Sequence, residues 1–136
     1  MLPIVFVSNP CKLKKKDLSL QREDEAFATM TNRNKHILSQ IKATARQNVP
    51  TGSLVLLFGS RARGEARKGS DWDILIVLPK SILQQSDYDQ ISYPLVELGW
   101  TLGEQINPIV YTQNEWEASR ITPFYDNVQR DAISLI

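Results

Sequence analysis

The sequence predicts a single α+β domain, because segments with helical and with strand periodicity alternate along a chain of 136 residues. That length suits one hydrophobic core and is short for two. Apolar residues make up 42% of the chain and charged residues 23%, which is the composition of a folded globular protein rather than of a disordered one.

Two segments have the spacing of helices with one apolar face. The recurring apolar residues are Ile37, Ile41 and Ala45 in the first segment and Ile91, Leu95, Leu98 and Leu102 in the second. Asp87 can cap the second helix, and Pro94 marks its first turn or a kink. Both helices are expected to pack on the core.

Three apolar runs are strand candidates. Residues 54–58 and 74–78 are continuous apolar runs of the length expected for strands buried on both faces. In the third run, residues 106–111, Pro108 removes a backbone donor and places the strand at a sheet edge or a bulge. The residues after it predict one or two short closing helices; they include Trp116, Phe124, Tyr125, Val128 and Ile133. We expect the aromatic residues among them, together with the earlier Trp100, to lie in an aromatic core.

The first 29 residues show neither helical nor strand periodicity and contain a basic run at residues 12–16. We interpret them as a disordered tail, or as upstream sequence that a wrongly assigned start places before Met30. Residues 30–136 then form the domain. For the basic run, a solvated tail is favoured over a nucleic-acid or lipid contact.

Charge and cysteine content argue against several classes of protein. The 16 Lys and Arg against 15 Asp and Glu give a net charge of +1, which offers no strong nucleic-acid or membrane signal. The single Cys11 cannot form an internal disulfide and belongs to no zinc-binding pattern. No apolar run approaches the roughly 20 residues that span a bilayer. We therefore expect a cytoplasmic protein without a membrane partner.

One pattern carries chemistry: Gly59 and Ser60, ten further residues, then Asp71, Trp72 and Asp73. A strand that ends at Gly-Ser lets the chain approach a ligand closely, because glycine has no Cβ. The backbone amides that follow can point at a phosphate. The first half of the pattern therefore predicts an anion site.

Asp71 and Asp73 lie two residues apart at the start of a strand, so both carboxylates project to one face, whereas Trp72 packs on the other. Such carboxylates repel each other unless a divalent cation neutralises them. Magnesium is an oxygen-seeking ion that completes its shell with substrate phosphates, so a magnesium–nucleoside triphosphate accounts for both halves of the pattern. Arg61 and Arg63 either support the phosphates or belong to a solvated turn.

Residues 59–64 (GSRARG) and 70–77 (SDWDILIV) resemble the signature of the minimal nucleotidyltransferases, small relatives of the DNA polymerase β superfamily. The resemblance extends over residues 30–136 and implies a mixed β-sheet flanked by helices. It also implies that Asp71 and Asp73 are catalytic and hold the metal, with the triphosphate against Gly59 and Ser60. A nucleoside monophosphate would pass to a hydroxyl of a protein or small molecule. Proteins of this type often pair with a HEPN-type protein in toxin–antitoxin modules.

The sequence departs from this family at the third carboxylate that active members add from a neighbouring strand. The corresponding position holds Asn107, which neither carries the charge nor acts as a base. Glu104, three residues earlier, is expected to be a solvated carboxylate. Two main functions therefore remain open: a magnesium-dependent transferase, or a catalytically weak or inactive nucleotide-binding antitoxin or regulatory partner of a HEPN-type protein. A third, weaker alternative is antibiotic modification, as the resemblance to aminoglycoside nucleotidyltransferases implies, although these usually carry an additional helical domain.

Overall fold

The apolar runs form one four-stranded sheet in the computed structural model, which describes residues 24–136. The strands are β1 (Leu54–Phe58), β2 (Trp72–Leu78), β3 (Ile106–Thr112) and β4 (Ile133–Ser134). Their order in the sheet is β3-β2-β1-β4. β1 is antiparallel to both β2 and β4, whereas β2 and β3 are parallel. The predicted mixed sheet is thus confirmed, and β3 with its Pro108 is an edge strand.

The α-helices that accompany the sheet include α1 (Asn32–Asn48), α2 (Ser60–Arg63), α3 (Tyr93–Leu102), α4 (Gln113–Ala118) and α5 (Pro123–Asp131). An α-helical turn, Gln85–Asp87, and a π-helical turn, Tyr88–Ser92, lead into α3, and a 3₁₀ turn, Ser119–Ile121, joins α4 to α5. Helices and sheet together form an α+β domain.

Residues 24–29 are also helical, and Ala26 and Met30 pack against the core. These six residues lie on the tail side of the boundary predicted at residue 30, which stays a prediction. The rest of the predicted tail, residues 1–23, lies outside the described residues.

The first predicted helix begins and ends where its capping residues place it. The hydroxyl of Thr31 accepts a hydrogen bond from the amide of Asn34 at 3.1 Å. α1 ends at Asn48, and its C-cap Val49 is extended, as the residue before a proline prefers to be. Its apolar face, containing Ile37 and Ile41, is buried against the sheet.

The sheet separates two hydrophobic clusters, because alternate residues of a strand face opposite sides. Ile74 and Ile76 belong to the larger cluster, which α1 and α3 cover; Leu75 and Val77 belong to the smaller one, with Trp116 and Val128 from α4 and α5.

Two expectations about the closing segment and the aromatic residues are wrong. Ile133 pairs with Leu57 in β4 instead of belonging to a helix, since a two-residue strand carries no periodicity to detect. Trp100 is 66% exposed and contacts Tyr93 rather than the core, whereas Trp116 is buried as predicted.

Candidate active site

The turn after β1 combines a glycine at positive φ with the start of a helix. Gly59 has a φ of 76°, a conformation that side chains with a Cβ rarely adopt, and α2 begins at the next residue, Ser60. The first amides of a helix have no partner within that helix. In α2, however, the amides of Ala62 and Arg63 donate to the carbonyl of Gly59 at 3.1 and 3.2 Å. That the amides before them bind phosphate stays a prediction.

A second constraint on Gly59 comes from the facing strand. Asp73 pairs with Phe58 in the antiparallel register of β1 and β2, which places its carboxylate beside the turn. A Cβ at Gly59 would collide with Oδ2 of Asp73. Glycine is therefore required here both by the backbone angle and by the close approach of the carboxylate.

The two aspartates and Asn107 converge at the start of β2 and β3. Asn107 lies opposite Asp73 in the parallel register. Its Nδ2 donates hydrogen bonds to Oδ2 of Asp71 at 2.9 Å and to Oδ1 of Asp73 at 3.4 Å. Both carboxylates, which we call the acidic pair, thus reach one amide group, as their spacing predicts.

The donor set of the acidic pair fits a magnesium ion that is shared with a substrate. The described residues contain no group of three or more His, Cys, Asp or Glu side chains placed to hold a metal. Magnesium, however, is commonly held by one or two carboxylates together with substrate phosphates. The side-chain NH₂ group of Asn107 donates to both carboxylates and so places the positive end of its dipole between them.

Arg61 is not brought to the acidic pair. Its side chain is only 6% exposed, and its Nη2 donates to the carbonyl oxygen of Ser70 at 2.8 Å. The guanidinium lies 4.4 Å from the centre of the Trp72 ring. These contacts hold the guanidinium on the Trp72 side of β2, which is the face opposite to the acidic pair.

Arg63 is exposed and lies within electrostatic reach of the site. Its Nε donates to Oε1 of Glu65 at 2.9 Å. This hydrogen bond is the largest cause that raises the pKa of Arg63, and the charges of Glu65, Asp131 and Asp73 add to it. Of the two predicted phosphate-supporting arginines, Arg63 is the one whose guanidinium interacts with the charge of Asp73.

The expectation that Glu104 is a solvated carboxylate is wrong. Its side chain is 12% exposed, and it accepts hydrogen bonds from Arg33 at 2.9 Å and from Nε1 of Trp72 at 3.1 Å. Burial raises the pKa of Glu104, but these hydrogen bonds and the charges of Arg33 and Arg61 together bring it below its ordinary value. No local pattern marks this residue, since its partners are 32 and 71 positions away.

Fold and site together define a nucleotidyltransferase domain. The family model described as "Nucleotidyltransferase domain" matches residues 38–127, which is more than half of the chain. The protein therefore belongs to that family. The match begins within α1, ends within α5 and contains the whole acidic pair and the turn at Gly59.

Two solved structures are similar to the chain in fold. A toxin–antitoxin crystal structure with AMP-PNP is 23% identical, with a TM-score of 0.52 over 78% of this chain and 73% of that one. A mutant of the toxin–antitoxin MntA–HpeT is 21% identical, with a TM-score of 0.51 over the same two shares. None of the curated proteins matches significantly. Within residues 24–136, no helix is long and apolar enough to cross a membrane.

Proposed function

We propose that the protein transfers a nucleoside monophosphate from a magnesium–nucleoside triphosphate to a hydroxyl of a protein or small-molecule acceptor. The bond between the α- and β-phosphates breaks as the acceptor oxygen bonds to the α-phosphorus, and pyrophosphate and the hydroxyl proton are released. The observation that carries this proposal is the convergence of Asp71 and Asp73 beside the turn at Gly59 and Ser60. Carboxylates that hold a cation and amides that bind phosphate are adjacent, which is the arrangement that a metal–triphosphate requires.

Each group has a separate task in this proposal. The backbone amides after Gly59 bind phosphate oxygens, and Asp71 and Asp73 hold magnesium. A magnesium ion held there would supply positive charge next to the phosphates. Arg63 exchanges Glu65 for a phosphate oxygen, since both partners are exposed and their ion pair is weak in water.

A second function is favoured by Asn107. The amide lies opposite Asp73 and cannot accept the proton of an attacking hydroxyl. Loss of a general base costs on the order of 10²- to 10⁴-fold in rate. The alternative is therefore a slow or inactive nucleotide-binding antitoxin or regulator of a HEPN-type partner. The toxin–antitoxin descriptions of the two similar structures support a toxin as the partner.

The test combines a binding measurement with a transfer measurement on the full chain. Nucleotides labelled at the α-phosphate are incubated with magnesium and the protein, alone and with the protein encoded beside it. Magnesium–ATP at about 100 times its dissociation constant should stabilise the folded state by about 2.7 kcal/mol, read as a higher melting temperature. Label should also appear on an acceptor.

The matched variant replaces both Asp71 and Asp73 by Asn, which keeps their size and removes their charge. We expect it to lose the magnesium–ATP stabilisation and the labelling together. If the wild-type protein binds the nucleotide but no acceptor is labelled, the regulatory alternative is the correct one. A double variant that keeps the full stabilisation would show that the metal ligands lie elsewhere, and both proposals would then be wrong.

A further inference from the structure

An ionic cluster, buried except for the exposed Arg33, lies on the other side of β2 from the acidic pair. It consists of Arg33, Arg61, Trp72 and Glu104, and we call it the Glu104 cluster. Oε1 of Glu104 accepts from the Trp72 indole at 3.1 Å and lies 3.6 Å from Nη2 of Arg61. Oε2 accepts from Arg33 at 2.9 Å. One carboxylate thus connects α1, α2, β2 and the turn between α3 and β3.

The members of this cluster are next in sequence to the residues of the site. Arg61 is the second residue after Gly59, within α2, and Trp72 stands between Asp71 and Asp73. The Trp72 amide also donates to the carbonyl of Gln105 at 2.8 Å, in the turn that carries Glu104. A displacement of Glu104 would therefore move both the α2 turn and the segment that bears the carboxylates.

The position of Glu104 is itself fixed by close packing. Its amide donates to the carbonyl of Gly99 at 2.9 Å, where α3 ends. A Cβ at Gly99 would lie 2.7 Å from the carbonyl oxygen of Glu104, which is closer than such contacts allow. Glycine at this position lets the turn lie directly on α3, so Glu104 projects from a rigid support.

Net stability alone does not explain such a cluster. Burying a carboxylate and a guanidinium costs desolvation free energy, which their mutual attraction does little more than offset. Apolar side chains of similar volume often stabilise the folded state equally well. Nε of Arg61 is buried without a hydrogen-bond partner, which adds to that cost. The cluster does provide a defined geometry, because the planar guanidinium of Arg61 is stacked on the Trp72 indole and paired with the Glu104 carboxylate.

We infer that Arg61, Trp72 and Glu104 are positioning residues for the metal–triphosphate site. Their contacts fix the amide turn of α2 relative to Asp71 and Asp73, on the opposite face of the same strand. Arg61 acts from the Trp72 face of β2, opposite to the acidic pair, whereas Arg63 is the exposed arginine beside the site. This inference rests on the proposed function, because it assigns a role within that same site.

The test is the affinity for magnesium–ATP, measured by titration calorimetry on the full chain well below its melting temperature. Glu104→Gln keeps the size of the side chain and removes the charge that holds Arg61. Replacing a residue that supports metal ligands typically costs ten- to a hundredfold in affinity, so we expect an affinity about tenfold weaker. Trp72→Phe keeps a ring beneath Arg61 but removes the indole donor, and should weaken binding by about threefold.

Glu117→Gln is the matched control, since it makes the same charge change on α4, where Glu117 forms an exposed ion pair with Arg120 of the 3₁₀ turn. It should bind like the wild type. If the wild type binds magnesium–ATP and folded Glu104→Gln binds equally well, the inference is wrong, whatever the melting temperature. If Glu104→Gln does not fold, unchanged affinity in Trp72→Phe overturns the inference. If the wild type itself does not bind, the proposed function fails, and the inference with it.

Discussion

Asn107 is the single residue that most affects the repulsion between the two carboxylates of the site and the negative charge available to attract a metal. Its amide supplies a hydrogen-bond donor between two carboxylates that would otherwise face each other unscreened. A neutral donor lowers this repulsion without a metal, but it adds no negative charge to attract one. The side chain therefore makes the metal-free site easier to form and the metal-bound site weaker than three carboxylates would.

Replacing Asn107 by Asp should reverse that balance. The variant loses the bridging donor and gains a third carboxylate opposite Asp73, so its melting temperature without metal should fall. With magnesium it should gain more stability than the wild type, and a transfer rate about 10²-fold higher is expected from the added base. The measurements are melting temperature against magnesium concentration and the rate of labelling.

The control for this change is Gln113→Glu, which adds the same charge in α4, just beyond the other end of β3. It should leave the magnesium dependence of the melting temperature unaltered. A variant at Asn107 that responds to magnesium like the wild type would mean that this position does not contact the ion.

At the scale of elements, the start of the helical stretch before α3 depends on one carboxylate. Asp87 accepts a hydrogen bond from the amide of Gln84 at 2.8 Å and pairs with Nζ of Lys80 at 2.9 Å. The hydrogen bond from Lys80 is the main cause that lowers the pKa of Asp87, followed by the one from Gln84. The charged form is thus the one that the folded state stabilises.

This lowered pKa predicts a pH dependence with a definite sign. The contribution of Asp87 is complete above the ordinary pKa of an aspartate, about 4, and is lost as the pH falls through the lower folded-state pKa. Asp87→Asn should therefore lower the free energy of unfolding by about 1 kcal/mol at pH 7. The difference from the wild type should narrow below about pH 4. Urea unfolding of both proteins from pH 7 to pH 2.5 measures it, and a gap that stays constant would contradict the assignment.

The helical segment at residues 24–29 is a second element whose contribution can be measured. Ala26 packs on the core, and the ammonium of Lys35 lies 5.2 Å from the centre of the Phe27 ring. A chain beginning at Met30 should therefore melt about 3 to 5 °C below a chain beginning at Asp24, as a loss near 1 kcal/mol implies for a domain of this size. Equal melting temperatures would support the boundary at residue 30 that the sequence predicts.

At the scale of the whole molecule, the sequence was informative wherever the signal is local. The strand at residues 54–58 and the buried face of α1 follow from a hydrophobic run and from helical spacing within a few residues. The convergence of Asp71 and Asp73 likewise follows from strand alternation. The position of Asn107 opposite Asp73 could be anticipated because the family resemblance supplied the pairing of strands.

What the sequence could not show depends on contacts between distant segments. Glu104 is buried because Arg33 and Trp72 happen to meet it in the folded chain, and no spacing rule joins these three positions. Arg61 and Arg63 look equivalent in the sequence, although one is buried against an indole and the other is exposed. Trp100 is exposed because of which face of α3 meets the sheet, a choice that aromatic content alone does not determine.

The closeness of Gly59 and Asp73 has a consequence for how this protein can diverge. A descendant that replaces Gly59 meets both an unfavourable backbone angle and the carboxylate of Asp73, so the change is strongly selected against while that aspartate is present. Loss of Asp73 removes one of the two barriers and makes the glycine easier to lose next. A substitution at Gly59 is therefore expected to cost less after Asp73 has been lost, whereas the backbone angle favours glycine in either case.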